Sequence, residues 1–194
     1  RVNKDSDDIS VFVDYAHSDD SLRNCLESVA AIIPGRLHAG AMLRSSAGSA
    51  RPTTLPLRHD RAPTGKLWVV FGCGGDKDKT KRPRMGAVAI DIADQVVVTS
   101  DNPRTEKPSA IVDDILVGIP KDLRDKLTVQ VDRERAIRHA IESAQTGDVV
   151  ILAGKGHEKV QIVSDGAGGT QSVHFDDSEI AQGCLEARRQ SRES

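Results

Sequence analysis

The chain has 194 residues, with 27 basic and 29 acidic side chains and a formal net charge of -2. This length allows one well-packed core, and the near balance of charge argues against a nucleic-acid binder and against an acidic tail. No run of about eighteen apolar residues occurs, so we expect no contact with a membrane. Three widely spaced cysteines form no CxxC pair, which argues against a metal site or a disulfide framework and favours a cytoplasmic protein.

Short β-branched runs alternate with amphipathic helical patterns, which predicts an α/β fold: a Rossmann-like, mostly parallel sheet of about six strands flanked by helices. We expect strands at 9–14, 67–71, 96–99, 127–131 and 149–153. The last of these is almost wholly apolar and is therefore predicted to be central and buried on both faces. Two further runs, 160–163 and 173–175, could form an edge hairpin.

Helices are predicted between these strands. Ser18 has the position of an N-cap, Pro108 opens a later helix, and Asp132 caps another. The final helix is expected to begin near Asp177. Only the stretch at 36–65 lacks periodicity, and it carries five arginines against one acid. We interpret residues 1–194 as one domain with a flexible arginine-rich insertion at 36–65; a basic segment that docks a partner or a phosphate is the alternative.

Four polar motifs follow predicted strands. They are the segments 14–17 (DYAH), 72–76 (GCGGD), 101–104 (DNPR) and 154–158 (GKGHE). The carboxyl ends of parallel strands share one edge of the sheet, and open α/β sheets bind ligands outside that edge. The sequence therefore predicts a ligand site there.

The DNPR motif suits an amino acid. Asp101 offers a carboxylate to an ammonium, Asn102 can both donate and accept, Pro103 fixes the backbone, and Arg104 can grip a carboxylate with two parallel hydrogen bonds. An Asx-Pro turn with a surface arginine would explain the same residues equally well.

The other motifs have similar double interpretations. Glycines at 72, 74 and 75 permit a sharp turn that exposes N–H groups to an anion, unless the segment is only a solvated basic loop. Gly154 likewise exposes backbone amides beside Glu158, which could hold a second ammonium or be an exposed side chain on a flexible loop. Asp14 and His17 could touch a ribose hydroxyl or a purine face, or cap a turn. The cations expected near the glycine turn, for a phosphate or a carboxylate, are Lys77, Lys79, Lys81 and Arg82.

Two common nucleotide signatures are absent. No GxxxxGK[ST] segment occurs, so the chain carries no P-loop. Both glycine motifs fail the dinucleotide fingerprint, because Lys77 and Lys159 stand where the third glycine belongs. A nicotinamide enzyme is therefore disfavoured, and no serine, cysteine and histidine pattern indicates a hydrolase.

Taken together, the motifs resemble the C-terminal domain of the Mur ligases, in particular those that add meso-diaminopimelate to a UDP-N-acetylmuramoyl-dipeptide in peptidoglycan synthesis. The matching segments keep their order and spacing over about residues 9 to 183, apart from the insertion. They are 13–17, 71–76, 81–83, 101–104 and 153–158.

The resemblance implies an ATP-dependent, amide-forming ligase that works through an acyl phosphate. ATP and Mg²⁺ would be bound mainly by other domains of that family, as would the UDP-N-acetylmuramoyl-dipeptide, so we expect no catalytic residue here and no full activity from this chain alone. It also implies nucleotide contacts from Asp14 and His17. Lys77 would contact the amino acid where the family usually has arginine. The residues implied to bind meso-diaminopimelate are Asp101, Asn102, Pro103, Arg104, Gly154, Glu158 and Lys77.

Two alternatives remain open. One is another ligase of the same superfamily, of the folylpolyglutamate or cyanophycin type, although Arg104 suits an amino acid with two carboxylates. The other is a non-catalytic module, derived from the ligase, that binds an amino acid or a partner. The absent P-loop and the basic insertion keep the second alternative open.

Overall fold

The computed structural model describes residues 2, 4, 7–33 and 65–193. Of the predicted insertion, 36–64 lies outside the described residues, and the single-domain interpretation of 1–194 stays a prediction. The strands in the described part are β1 (Ser10–Asp14), β2 (Leu67–Phe71), β3 (Gln95–Val98), β4 (Leu127–Val129), β5 (Val149–Ala153), β6 (Val160–Ser164) and β7 (Thr170–His174). The helices are α1 (Asp19–Ala30), α2 (Lys81–Ile92), α3 (Pro108–Leu116), α4 (Arg133–Ser143) and α5 (Asp177–Glu193), with a short 3-10 helix at Lys121–Lys126.

The main sheet has the strand order β1-β5-β2-β3-β4, and all four pairings are parallel. The predicted α/β class with a mostly parallel sheet is thereby confirmed. Strand β5 is buried along its whole length between β1 and β2, as its apolar sequence indicates, although β2 holds the middle position.

The predicted hairpin forms, but it is not an edge of the main sheet. Strands β6 and β7 pair antiparallel as a separate two-stranded sheet, so the main sheet has five strands rather than about six. The hairpin is attached to the strand-end loops instead. The backbone N–H of Arg104 donates to the carbonyl of Ile162 at 3.1 Å, and Ile162 N donates to Asn102 Oδ1 at 2.9 Å.

Two apolar layers cover the sheet. Side chains alternate between the faces of each strand, so Val69 and Phe71 of β2 pack in the core with helices α1 to α3, whereas Trp68 and Val70 pack with α4 and α5. Burial of each such side chain contributes about 1.5–3 kcal/mol. The layers fix the strands, and with them the position of every loop at the strand ends.

The predicted helix starts are confirmed. Ser18 caps α1 in a capping box with Ser21, Asp132 caps α4 by accepting from Arg135 N, and Pro108 occupies the first turn of α3. Each side-chain cap is worth about 1 kcal/mol. None of the helices in the described residues is long and apolar enough to span a membrane.

At the amino ends of the strands, buried acids have several donors each. Asp148 accepts from Lys66 N, Gln145 N and Trp68 Nε1 at 2.7 to 2.9 Å. Asp8 accepts from both Nε and Nη2 of Arg188, at 2.9 and 2.8 Å. These bonds tie the loops beneath the sheet to β2 and to α5.

Candidate functional site

The loops after β2 and β3 lie against each other at the carboxyl edge of the sheet. Gly75 N donates to Asn102 O at 2.9 Å. A Cβ atom at Gly75 would lie 1.9 Å from the carbonyl oxygen of Pro103, and one at Gly72 would lie 2.4 Å from that of Thr99. Side chains cannot fit at these two positions, so the glycines of the GCGGD motif serve the packing of the two loops.

Two left-handed residues face each other across this contact. Asp76 has φ 54° and Arg104 has φ 53°, a conformation that costs non-glycine residues about 1–3 kcal/mol. Each side chain stabilises the opposite turn: the Asp76 carboxylate accepts from Thr105 N at 3.1 Å and Thr105 Oγ1 at 2.7 Å, and Arg104 Nη1 donates to Gly75 O at 2.8 Å. The guanidinium of Arg104 is therefore held at a defined place in the amino-acid pocket predicted from the DNPR and GKGHE motifs.

Arg82 does not have the role expected from the sequence. It is completely buried, and its Nη atoms donate to Glu106 at 2.8 and 3.0 Å, to Asp114 at 2.8 Å and to Gly74 O at 3.2 Å. Glu106 in turn accepts from Asp76 N at 2.6 Å. The expectation that Arg82 binds a ligand anion is wrong, because two carboxylates already neutralise it; it supports the glycine loop instead.

Of the other three predicted cations, only Lys77 has no partner among the described residues. Lys79 forms an ion pair with Glu106 at 3.0 Å, and Lys81 donates to His17 O at 2.6 Å. Lys77 is exposed beside Gly74. Its ammonium can therefore contact an anion from solution. The role of Lys77 in binding the amino acid stays a prediction.

Asn102 and Glu158 meet directly. Asn102 Nδ2 donates to Glu158 Oε2 at 2.9 Å, while Oδ1 of the same amide accepts from Ile162 N. This contact joins the DNPR and GKGHE motifs across 56 residues of sequence. Glu158 Oε1 lies 3.5 Å from the hydroxyl of Tyr15 and keeps capacity for a further donor, since its side chain is 32% exposed.

Asp101 lies beside Gly154. A Cβ at Gly154 would come within 2.5 Å of Asp101 Oδ2, and Gly154 has φ +112°. Both the close approach and the positive φ therefore require glycine at this position. Asp101 is buried, and no side chain of the described residues donates to its carboxylate. Burial raises the pKa of Asp101 above its ordinary value; the charges of Arg133 and Lys155 oppose this effect without cancelling it.

Sequence patterns gave no signal for the ion pair beneath the pocket. Arg133 and Asp177 are both completely buried and are joined by two hydrogen bonds, of 2.9 and 2.6 Å. Arg133 also donates to Ser100 O at 3.3 Å and Ala153 O at 3.1 Å. The pair therefore fixes the ends of β3 and β5, from which Asp101 and Gly154 emerge.

Lys155 was also missed, although it lies inside a quoted motif. Its side chain is turned inward and has no exposed surface. Its ammonium donates to Val160 O, lies 3.3 Å from Asn102 Oδ1 and 3.5 Å from Glu158 Oε2, and sits 5.9 Å from the centre of the Phe175 ring. The sequence pattern of a lysine between two glycines does not predict that its side chain is completely buried.

The edge at β1 has a different character. Asp14 Oδ1 accepts from Ala16 N at 2.8 Å, so the DYAH segment is a capped turn. The exposed Tyr15 ring lies 5.0 Å from the His17 ring and 5.8 Å from the His157 ring, centre to centre. These rings offer a surface on which a planar group could stack. Nucleotide contacts by Asp14 and His17 stay a prediction.

A cleft of about 560 Å³ opens beside the pocket, between the start of α4 and the hairpin. Its walls include Ser100, Pro103, Arg133, Gln161 and Phe175. Of the seven residues predicted to bind the amino acid, Pro103 alone lines it. The cleft is thus a neighbour of the predicted pocket and shares one wall with it.

Thiol and metal chemistry have little support at this site. Burial raises the pKa of Cys73 to about 12, so the cysteine of the GCGGD motif is protonated at neutral pH and is a poor nucleophile. Within the described residues, no group of three His, Cys, Asp or Glu side chains could hold a metal ion. The side chains described at this site therefore do not fit a Mg²⁺ ion.

The predicted amino-acid contacts thus occupy one edge of the sheet, with anionic groups at Asp101 and Glu158 and cationic groups at Arg104 and Lys77. The chain matches the family described as "Mur ligase, glutamate ligase domain" over residues 49–156. It belongs to the Mur ligase family. The resemblance of its motifs to this family is confirmed by the match, which includes the GCGGD and DNPR segments.

Several relatives of this Mur ligase domain carry the same name. The chain is 46% identical over 189 residues to UDP-N-acetylmuramoyl-L-alanyl-D-glutamate--2,6-diaminopimelate ligase of Gloeobacter violaceus, covering 97% of the chain and 31% of that protein. It is 48% identical over 181 residues to the enzyme of that name from Thermosynechococcus vestitus, covering 93% and 29%. A solved structure with the same name is 34% identical with a TM-score of 0.73, covering 97% of this chain and 31% of that one. The chain spans about a third of the length of these relatives.

Proposed function

We propose that this Mur ligase domain binds meso-diaminopimelate and presents it to an activated UDP-N-acetylmuramoyl-L-alanyl-D-glutamate. The observation that carries the proposal is the placement of Arg104. Its left-handed turn holds a guanidinium beside the GCGGD loop, and the neighbouring Asn102 donates to Glu158 at 2.9 Å. A planar cation with several donors suits a second carboxylate, which L-lysine lacks.

The two ends of the proposed ligand would meet different groups. Glu158 Oε1 has room for an ammonium, and Asp101 offers a second carboxylate close to Gly154. Arg104 and Lys77 would attract the distal carboxylate from two sides of the glycine loop. The shared name of relatives at 46% and 48% identity supports diaminopimelate over other amino acids.

In the proposed reaction ATP supplies a phosphoryl group to the terminal carboxylate of the dipeptide. The amine of diaminopimelate attacks the acyl carbon, an N–C bond forms, the C–O bond to phosphate breaks, and phosphate leaves with the electron pair while nitrogen loses a proton. The described residues contain no metal cluster and the sequence no P-loop, so this domain would orient the amine, a contribution that can remove much of the barrier. Asp14, His17 and the Tyr15 ring are the proposed contacts to nucleotide, and a cytoplasmic location is part of the same proposal.

Binding to the chain tests the proposal. We expect meso-diaminopimelate to shift the NMR signals of Arg104 and Glu158, and L-lysine to leave them unchanged. Arg104→Ala should remove this preference, while Arg104→Lys, which keeps the charge and loses the planar fork, should keep a small part of it. Arg135→Ala is the matched control, because Arg135 is exposed and its ion pair with Asp132 spans 3.9 Å.

Equal affinity of the parent chain and Arg104→Ala for diaminopimelate would contradict the assigned role of Arg104. Equal responses of the parent chain to lysine and diaminopimelate would contradict the substrate class. If neither amino acid binds while the Arg135→Ala control and the parent are both folded, the proposal that this domain alone forms the pocket is wrong, and the non-catalytic alternative gains weight.

A further inference from the structure

One cation of the pocket has no place in the recognition just proposed. Lys155 lies between Gly154 and Gly156 in sequence, yet its ammonium is enclosed completely by the protein. Lysine is rarely buried to this extent without a partner, because removing an ammonium from water is costly. A buried lysine under two proposed ligand contacts therefore calls for a physical reason.

The reason is found in what the ammonium touches. It lies 3.3 Å from Asn102 Oδ1 and 3.5 Å from Glu158 Oε2, and it donates to the carbonyl of Val160, where the hairpin begins. The three N–H donors of the ammonium thus face three acceptors, one in the DNPR segment and two in the stretch from Glu158 to Val160. The Phe175 ring, 5.9 Å away, covers the ammonium from another side.

The first consequence concerns the orientation of the Asn102 amide. Its oxygen faces two donors, Lys155 Nζ and Ile162 N, and its nitrogen faces the Glu158 carboxylate at 2.9 Å. If the amide were flipped, its NH₂ group would face an ammonium and an N–H, and its oxygen would face a carboxylate. Lys155, Ile162 N and Glu158 together therefore specify a single orientation of the amide.

The second consequence concerns Glu158. Its Oε2 atom is occupied by Asn102 Nδ2 and lies near Lys155, which leaves Oε1 as the atom directed to Tyr15 and to solvent. A carboxylate with one oxygen already hydrogen-bonded and the other open to a further donor can accept a ligand ammonium without losing further rotamer freedom. Fixing such a group before binding lowers the entropic cost of association.

We propose that Lys155 is a positioning residue of the amino-acid pocket, which holds Asn102 and Glu158 so that Glu158 Oε1 receives the ammonium of the ligand. This inference rests on the proposed function for its ligand. The arrangement of Asn102, Glu158 and Lys155 in the free chain can be tested separately.

The test uses Lys155→Met, which keeps an unbranched side chain, one atom shorter, and removes the ammonium and its charge. Lys159→Met is the matched control on the same loop, since Lys159 is exposed and its nearest acid, Asp176, is 3.8 Å away. In the free chain we measure hydrogen exchange of the Asn102 side-chain amide by NMR. We expect exchange to accelerate about tenfold or more in Lys155→Met, as loss of a buried donor frees the amide, and to be unchanged in Lys159→Met.

Isothermal titration with meso-diaminopimelate gives the second readout. We expect Lys155→Met to bind about tenfold more weakly than the parent, the factor for one lost oriented contact, at temperatures where both are fully folded. A purely structural role would lower the melting temperature and leave the affinity of the folded chain unchanged. Tighter binding by Lys155→Met would show that Lys155 competes with the ligand for Glu158, and it would overturn the inference.

The two proposals fail in different ways. If the parent chain does not bind diaminopimelate, the proposed function fails, and the exchange measurement still decides the role of Lys155. Unchanged exchange of Asn102 in Lys155→Met overturns the positioning role even if the parent binds. If Lys155→Met does not fold, the test is made on the parent chain alone. The side-chain amide of Asn102 should then exchange more slowly than that of the exposed Asn24, and equal exchange rates would contradict the proposed arrangement.

Discussion

Buried carboxylates at the two ends of the parallel sheet differ in the hydrogen bonds that they receive. At the amino end, Asp148 accepts from three N–H groups, and Asp8 accepts from Arg188 and forms an ion pair with Arg192. At the carboxyl end, Asp101 is buried and has a backbone hydrogen bond with Asn102, but it receives none from a side chain of the described residues. The carboxylates at the amino end therefore have more donors within the protein than Asp101 has.

The pKa values of Asp8 and Asp101 are shifted in opposite directions. Hydrogen bonds from Arg188 hold the pKa of Asp8 well below its ordinary value, so ionised Asp8 stabilises the fold. Burial raises the pKa of Asp101, so ionised Asp101 destabilises it. A carboxylate that costs stability and lies among motifs proposed to bind a ligand is typical of a site where function and stability are in conflict.

The largest expected effect comes from the Arg133–Asp177 pair at the carboxyl end, in which both side chains are completely buried. Arg133→Met leaves Asp177 buried without its cation, and we expect the free energy of unfolding to fall by about 3–5 kcal/mol. Urea denaturation measures this. The double variant Arg133→Met with Asp177→Leu should recover most of the loss, because it removes both charges. A loss below about 1 kcal/mol in the single variant would show that the pair contributes no more than a surface ion pair.

Asp8→Asn tests the amino end. At pH 7 we expect a loss of about 2 kcal/mol, because Arg188 loses a charged partner. The folded pKa of Asp8 is below 3.8, so its contribution is present above that pH and is lost as the pH falls through the folded pKa. The difference between parent and variant should therefore shrink in denaturation experiments below pH 3.8. Asp125→Asn, at an exposed position, is the control, and a pH-independent difference would contradict the assignment.

Asp101→Asn should have the opposite sign. We expect the free energy of unfolding at pH 7 to rise by about 1 kcal/mol, because the amide avoids the cost of burying a charge. The folded pKa of Asp101 lies above 3.8, so the parent gains stability as the pH falls through it, and the advantage of the variant should shrink. Titration with diaminopimelate should show weaker binding by the same variant. A variant less stable than the parent at pH 7 would break the contrast between the two ends.

The smallest expected effect is at Lys77. The resemblance to the family implies arginine at the position of Lys77. In Lys77→Arg the planar guanidinium should raise the affinity for meso-diaminopimelate by about two- to fivefold, which is the range expected for one exposed charged contact. Calorimetry would detect this change. Because Lys77 is exposed and has no partner among the described residues, its stability should not change. Lower affinity of the variant would mean that Lys77 does not face the ligand.

The sequence predicted the sheet and the placement of the motifs well, for identifiable reasons. Strands β2 and β5 have the predicted bounds because short β-branched apolar runs with clear breaks leave little freedom. Ser18, Asp132 and Pro108 begin helices as predicted, since capping is a local property. Motifs that follow parallel strands must share an edge, so their meeting followed from the fold class.

Long-range pairings of charged side chains could not be predicted in this way. Arg82 looked like part of a basic ligand loop, but Glu106 and Asp114, on distant segments, enclose it. Arg133 and Asp177 lie 44 residues apart, and no spacing rule connects them. The inward turn of Lys155 depends on the hairpin supplying Val160 O as an acceptor. These are properties of the assembled tertiary structure.

The attachment of the hairpin has a use in engineering. Ile162 is hydrogen-bonded to both Asn102 and Arg104, so the base of the hairpin is coupled to the pocket, while its tip carries Gly166 and Gly168 with open space around them. A fluorescent probe on that tip would lie outside the proposed amino-acid pocket and would still report a shift of the loop proposed to bind the amino acid. The domain thus contains the framework of a reagentless optical sensor, with the recognition element and the attachment point already joined by two hydrogen bonds.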